Sequence, residues 1–185
     1  MIIRKATVTD TPYIVPCILL AMEEIVYRFI GEADHEKAFA FLTDLVVESG
    51  NQYSYDNCFV AEENDKVLGA ALVYDGARLK ELRIPVVQKI KLMFDKAFHF
   101  EDETQAGEYY IDCIGVNPVA QGKGVGTKLL QYLIEEFVEK RRETLGLLVD
   151  KDNPNAKKLY LKLGFEIVGE KDFAGKQMEH LQLKA

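Results

Sequence analysis

The chain has 185 residues, 48% of them hydrophobic, which suits one globular domain with a sizeable core. No apolar run reaches the roughly 18 residues that span a bilayer, and Met1-Ile2-Ile3-Arg4-Lys5-Ala6 lacks the apolar centre of a signal peptide, so no membrane partner and a cytoplasmic location are the expectations. A net charge of -7, from 30 acidic and 23 basic residues, argues against a non-specific nucleic-acid binder and favours a cationic partner.

Ile2 to Ala6 reads as a first strand. Asp10 is placed to cap a helix opening at Thr11-Pro12, with Ile14, Ile18, Met22, Ile25, Val26 and Phe29 apolar and Pro16 as a source of bending. Asp34 is placed to cap a second helix with Ala38, Phe41, Leu42, Leu45 and Val46 inward. Asn57 to Glu62 and Val67 to Tyr74 read as strands joined by a hairpin turn at Asn64-Asp65-Lys66. Arg78 to about Phe100 has helical periodicity interrupted at Pro85, which predicts two pieces. The acidic stretch Glu101 to Glu108 reads as a loop, and Glu108 to Val116 as a long buried strand.

Thr127 to Glu139 is the clearest helix, with Leu129, Leu130, Leu133, Ile134, Phe137 and Val138 at 3.6-residue spacing. Thr144 to Val149 is a strand. Asn155 to Leu163 is a short helix ended by Gly164. Phe165 to Gly169 and Gln177 to Leu183 close the chain as antiparallel strands. Alternating elements of this kind build a mixed sheet with helices on both faces, in a single domain. Cys17, Cys58 and Cys113 are odd in number and widely spaced, and read as reduced core residues. His35, His99 and His180 lack ligand spacing, so no metal is indicated.

The most informative stretch is Gln121-Gly122-Lys123-Gly124-Val125-Gly126, between an apolar strand and a helix. Free amides at a helix N-terminus favour phosphate oxygens, and glycine permits tight turning and close approach. The dinucleotide fingerprint needs glycine at position 127, where Thr127 stands; a Walker A loop needs Ser or Thr after Gly122-Lys123, where Gly124 stands. About thirty residues on comes Asn153-Pro154-Asn155-Ala156-Lys157-Lys158-Leu159-Tyr160, completed by Gly164-Phe165.

The pair of motifs resembles the GNAT superfamily of acyl-CoA-dependent N-acyltransferases. Q/R-x-x-G-x-G/A is matched at Gln121, Gly124 and Gly126, and N-x-x-A-x-x-x-Y-x-x-x-G-F at Asn153, Ala156, Tyr160, Gly164 and Phe165. The resemblance implies an α/β (α+β) fold over residues 1–185. Its central sheet is mixed, largely antiparallel and twisted, with about seven strands, flanked by helices on both faces and splayed between strands 4 and 5. It implies acetyl-CoA as cosubstrate, its pyrophosphate held by the backbone of Gly122, Lys123, Gly124, Val125, Gly126 and Thr127. Gln121, Asn153 and Ala156 join the cofactor site. The backbone of Ile114, Gly115 and Val116 would pair with the pantetheine arm, and Gly115 suits close approach by a ligand. Tyr160 would protonate the leaving thiolate, since a phenol with a reference pKa near 10 holds its proton at neutral pH.

Asp112, the candidate general base, interrupts Tyr110-Ile111-Asp112-Cys113-Ile114, where burial of a carboxylate is costly. By alternation Asp112, Ile114 and Val116 share a face, with Ile111 and Cys113 opposite; Glu108 and Tyr110 are further candidates for binding the incoming amine. Cys113 lies beside Asp112 without a nearby histidine, so direct attack in a ternary complex is favoured over an acyl-cysteine. The implied function is N-acetyl transfer to a primary amine of a small molecule or peptide; the alternative is a non-catalytic acyl-CoA sensing module. A helical insertion at about 76–107 departs from the family's minimal pattern and caps the acceptor site or builds a homodimer surface.

Overall fold

The strands are β1 (Ile2–Lys5), β2 (Cys58–Glu63), β3 (Lys66–Asp75), β4 (Tyr109–Val116), β5 (Leu145–Asp150), β6 (Glu166–Phe173) and β7 (Lys176–Leu183). In the computed structural model, which describes residues 1–99 and 101–185, they form one sheet in the order β1-β2-β3-β4-β5-β7-β6. All neighbours are antiparallel except β4 and β5. The helices are α1 (Thr11–Ile30), α2 (His35–Val46), α3 (Leu79–Phe94), α4 (Val125–Leu133) and α5 (Pro154–Lys162). The architecture is therefore the mixed, largely antiparallel seven-stranded sheet that the element order predicts.

Local chemistry explains most element boundaries. Asn64 and Asp65, at φ 53° and 59°, form a two-residue turn whose twist matches that of the flanking strands β2 and β3. Asp34 caps α2 by accepting from the Lys37 amide at 3.0 Å. Asp10 precedes α1 but does not cap it. Its carboxylate instead accepts from Arg4 at 2.7 and 2.9 Å and from the Thr7 amide at 2.8 Å, and the guanidinium holds it at about 2.

Three helices depart from their sequence reading. In α1 the break comes at Met22, with φ -144° and ψ 31°, and not at Pro16. The first half of α1 is held against β4 near Cys17, whereas Met22 lines a cleft beyond it. α3 runs unbroken through Pro85 because burial of Leu79, Leu82, Val86 and Ile90 outweighs one missing N–H. It ends at Asp95 in the left-handed region; Phe100, the end of the segment read as helical, lies outside the described residues. α4 continues as a π-helical segment, Ile134–Lys140, which keeps Phe137 and Val138 buried.

Two apolar layers sandwich the sheet. On one face α1 and α2 bury Ile14, Ile18, Phe41 and Leu45 against Val60 and Leu72. On the other, α4 buries Leu129 and Leu133 against Phe59, Val73, Ile111 and Leu147. The three cysteines are free thiols, Cys17 and Cys58 buried and Cys113 half-buried.

Gly115 is where α1 meets the sheet most closely. A Cβ there would overlap the backbone carbonyl of Cys17. The glycine that suggested approach by a ligand therefore admits a helix on its side-chain face. Gly115→Ala should destabilise the fold by about 3 kcal/mol, since backbone rather than a flexible side chain must move. Urea unfolding measures it; an unchanged midpoint would refute the close packing.

Candidate active site

The site begins with an irregularity in β4. Leu72 pairs with Cys113 and the next residue, Val73, with Ile111, so Asp112 is the extra residue of a bulge. A bulge bends its strand and re-aims side chains. Tyr110, Asp112, Cys113 and Gly115 consequently turn towards the α1 and α3 side, while Ile111, Ile114 and Val116 pack on the α4 side. Simple alternation placed Asp112 with Ile114 and Val116 and opposite Cys113; the bulge reverses both assignments.

At the same point β4 leaves β5. The parallel pairing covers Tyr109–Leu145, Tyr110–Gly146 and Ile111–Leu147, and then stops. β4 stays paired with β3 as far as Val116, and β5 stays paired with β7 as far as Asp150. The β5-side edge of β4 is thus unpaired from Asp112 to Val116. Between the diverging strands lies a cleft of 440 Å³, lined by Asp112, Cys113 and Ile114 on one wall and by Val149, Asn153 and Tyr160 on the other.

Asp112 is held at one oxygen. Its Oδ2 accepts from Gln52 Nε2 and from the Tyr74 hydroxyl, both at 2.8 Å. Burial pushes its carboxyl above the usual carboxylate range; the donors Gln52 and Tyr74 and the charge of Arg83 oppose that shift. Glu103 meets the same two donors, at 2.8 Å from Gln52 Nε2 and 3.0 Å from the Tyr74 hydroxyl, and is ion-paired with Arg83. Arg83 also donates to Asp102 and to the Glu101 carbonyl at 2.8 and 2.7 Å. The acidic stretch read as a loop therefore delivers a buried carboxylate to the cleft. Gln52, Tyr74 and Glu103 were not singled out from sequence. The available signal was polar residues, Asn51-Gln52 and Glu103-Thr104, that the fold buries.

Across the cleft, Asn153 caps α5 by accepting from the Ala156 amide at 3.1 Å. This places Ala156 and Tyr160, one turn apart, against the open edge. The Tyr160 ring lies edge-on to Phe165, with centroids 6.0 Å apart, and its hydroxyl has no hydrogen-bond partner among the described residues. Burial pushes the phenol above its ordinary value, with the Cys113 thiol adding to it, so it keeps its proton at neutral pH.

At the end of β4 the glycine turn forms as the motif predicts. Gly122 and Gly124 have φ 75° and 78°, and no atom lies within 4 Å of a Cβ at either, so conformation rather than packing demands glycine. Gly124 stands at the N-cap of α4 without a side-chain cap, and the first helical bond is Lys128 N–H to Gly124 at 3.0 Å. The amides of Val125, Gly126 and Thr127 therefore have no carbonyl ahead of them. Gln121 reaches back to the Val116 carbonyl at 3.4 Å. Lys123 and Lys128 are exposed and form no ion pair among the described residues.

Glu108, an expected amine-binding candidate, is elsewhere. It accepts from Thr104 at 2.7 Å and Gln182 at 2.7 Å, and lies 2.8 Å from His180 Nε2. A Cβ at Gly146 would fall on its carboxylate, so that glycine makes its room. Glu108 is locked beneath β5 and β7 and does not line the cleft; Tyr110 does. Among the described residues no group of three or more His, Cys, Asp or Glu could hold a metal ion, and no helix is long and apolar enough to cross a membrane.

The model of the acetyltransferase (GNAT) family matches residues 21–165. A solved acetyltransferase is 30% identical with a TM-score of 0.83, covering 100% of this chain and 99% of its own. An N-acetyltransferase from Staphylococcus aureus Mu50 is 21% identical with a TM-score of 0.81, over 99% of this chain and all of its own, a likeness of fold. A spermine/spermidine N(1)-acetyltransferase of Bacillus subtilis is 30% identical over 80 residues, 43% of this chain and 53% of that protein. A mycothiol acetyltransferase of Mycobacterium sp. (strain JLS) is 40% identical over 65 residues, 33% of this chain and 21% of that protein. The matched segment thus spans about half the length of the first of these curated relatives and less of the second.

The Glu108 lock has a pH signature. Burial raises its carboxyl, but hydrogen bonds from His180, Thr104 and Gln182 outweigh it, and the net shift is downward. A lowered folded value stabilises above the unfolded value, near 4.3, and that stability is lost as pH falls through the folded value. Glu108→Gln should flatten the fall in unfolding midpoint between about pH 5 and 3. An equally steep fall in the variant would refute the lock.

Proposed function

Because this chain belongs to the acetyltransferase (GNAT) family, we propose that it transfers an acetyl group from acetyl-CoA to a primary amine by direct attack in a ternary complex. The observation that supports this best is a single cleft with a partner-free phenol on one wall and a carboxylate of raised proton affinity on the other. In this reading the free amides of Val125, Gly126 and Thr127, behind the turn Gly122 to Gly124, hold the pyrophosphate, with Lys123 and Lys128 adding charge. The unpaired edge from Ile114 to Val116 takes the pantetheine arm as an added strand, with Asn153 and Ala156 opposite, and Gln121 steadies the turn.

Asp112 takes a proton from the acceptor ammonium. The neutral nitrogen then attacks the thioester carbonyl, forming C–N as C–S breaks, and the departing sulfur takes its proton from Tyr160. The second proton of the nitrogen returns through solvent to the phenolate. The products are the amide and CoA thiol, with one proton released from Asp112.

The acceptor is a cationic amine. The cleft opens into a groove of 670 Å³ whose rim carries Glu23, Glu24, Asp150 and Asp152 against Arg28 and Lys176. Likeness to a spermine/spermidine N(1)-acetyltransferase supports the same class. Cys113 shares the Asp112 face, yet burial and that neighbouring carboxylate push its thiol well above the ordinary range, so it stays protonated and does not attack.

The test is calorimetric titration with acetyl-CoA, followed by thiol release over a panel of mono-, di- and polyamines. Micromolar binding with turnover of a cationic amine supports the reading, and binding without turnover of any amine returns the sensing module. Tyr160→Phe should lower kcat about a hundredfold while leaving the Kd for CoA within about threefold; unchanged turnover across pH removes Tyr160 from the mechanism. Cys113→Ala should retain most of its turnover, whereas a trapped acyl-cysteine in the parent protein would overturn direct attack.

A further inference from the structure

Asp112 and Glu103 face one another across two shared donors. The Gln52 amide nitrogen has two hydrogens and lies 2.8 Å from each carboxylate, so it serves both. The Tyr74 hydroxyl has one hydrogen and two acceptors, Asp112 Oδ2 at 2.8 Å and Glu103 Oε1 at 3.0 Å. It can serve only one of them at a time. Asp112 Oδ1 makes no hydrogen bond among the described residues and is not enclosed, so it is the oxygen open to the cleft.

We propose that Tyr74 and Glu103 form a hydrogen-bond switch for Asp112, in which the tyrosine hydrogen rests on Asp112 while that carboxyl is anionic and turns to Glu103 when it is protonated. The proposal rests on the reading of Asp112 as the base. With Asp112 anionic, the hydroxyl donates to Oδ2. When a proton from the ammonium arrives at Oδ1, charge at Oδ2 falls and the hydroxyl turns to Glu103, the carboxylate paired with Arg83. Both states are hydrogen-bonded without movement of a heavy atom, so little reorganisation accompanies the proton transfer. The like charge of Glu103 also favours proton uptake by Asp112. Glu103 and Tyr74 are positioning residues, since both act through Asp112.

The surroundings leave few other charges to exert this control. From the elements packed around it, Asp112 is faced by Tyr53, Cys58, Tyr74, Arg83 and Glu103, with Tyr110 and Cys113 on its own strand. Cys17 of α1, Tyr160 of α5 and Asp150 of β5 border the same cleft or its floor. The phenols and thiols keep their protons, and Asp150 is held by Lys176 at 3.0 Å. The segment after α3 is pinned in place: Lys171 donates to the Glu103 carbonyl at 3.2 Å, and the Ala174 amide to Glu101 at 2.6 Å.

Carbon-labelled aspartate and tyrosine in the full chain give the test by NMR titration of the Asp112 carboxyl and the Tyr74 ring carbon bearing the hydroxyl. Glu103→Gln removes a like charge and should lower the Asp112 midpoint by about one pH unit, moving the acid limb of kcat/KM the same way. Tyr74→Phe removes a donor to the anion and should move both upward. Midpoints unchanged in both variants, with native melting curves, overturn the proposal. In the parent protein, which needs no variant to fold, the Tyr74 signal should titrate together with Asp112; a flat signal through that transition also overturns it. Failure to acetylate any amine would strike the proposed function and leave this titration standing.

Discussion

One extra residue in β4 organises the molecule. By bulging at Asp112, the strand keeps its ladder with β3 at the point where it leaves β5, and Asp112 and Cys113 come to share the α1 and α3 side. In a regular strand with Ile111 in the α4 layer, Cys113 would follow it there and Ile114 and Val116 would turn to the α1 side; the extra residue instead keeps Cys113 on the Asp112 face and returns Ile114 and Val116 to the layer of Leu129 and Leu133. Opening of the sheet and placement of the acid are one event. Just beyond, α1 closes over the strand at Gly115, where a side chain would meet the Cys17 carbonyl.

The two halves of β4 are stabilised by opposite means. Below the bulge the strand is sealed: Glu108, just ahead of β4, is tied to His180 and Gln182 of β7 across β5, through the gap left by Gly146. Above it the strand is open, and Asp112 takes its donors from Tyr74 of β3 and from Gln52 after α2, both shared with Glu103 after α3. The sealed half gives the open half a fixed base, which a reacting site requires if its groups are to be held in register. The segment around α3 contributes in the same way. α3 buries its apolar side and offers Arg83, which holds Glu103 against the cleft.

The two walls also differ in how local their origins are. The glycine turn before α4 arises from six consecutive residues, through two left-handed glycines and an uncapped helix start. The α5 wall arises from one cap, Asn153 to Ala156, and one helical turn to Tyr160. The Asp112 wall is assembled from residues 60 and 38 positions away in the chain.

That difference decides what could be read without coordinates. The strand and helix succession, the turn at Asn64-Asp65, the Asp34 cap, the glycine cradle and the Asn153 to Phe165 helix are short-range, because each depends on dihedral preferences or hydrogen bonds within a few residues. They were legible, and with them the family and its sheet. The break at Met22, the unbroken helix through Pro85 and the π-helical end of α4 were not, because packing overrode local propensity. The bulge escaped for a simpler reason: alternation assumes one partner residue per residue, and only the neighbouring β3 reveals that Asp112 has none. Once that register slips, Cys113 changes face, while long-range contacts alone hold Glu108 away from the cleft and bring Gln52, Tyr74 and Glu103 to Asp112. The chain's own chemistry thus specified the cradle and the phenol, whereas the surroundings of the carboxylate were settled only when distant segments packed, because its solvation depends on groups the chain brings together from afar.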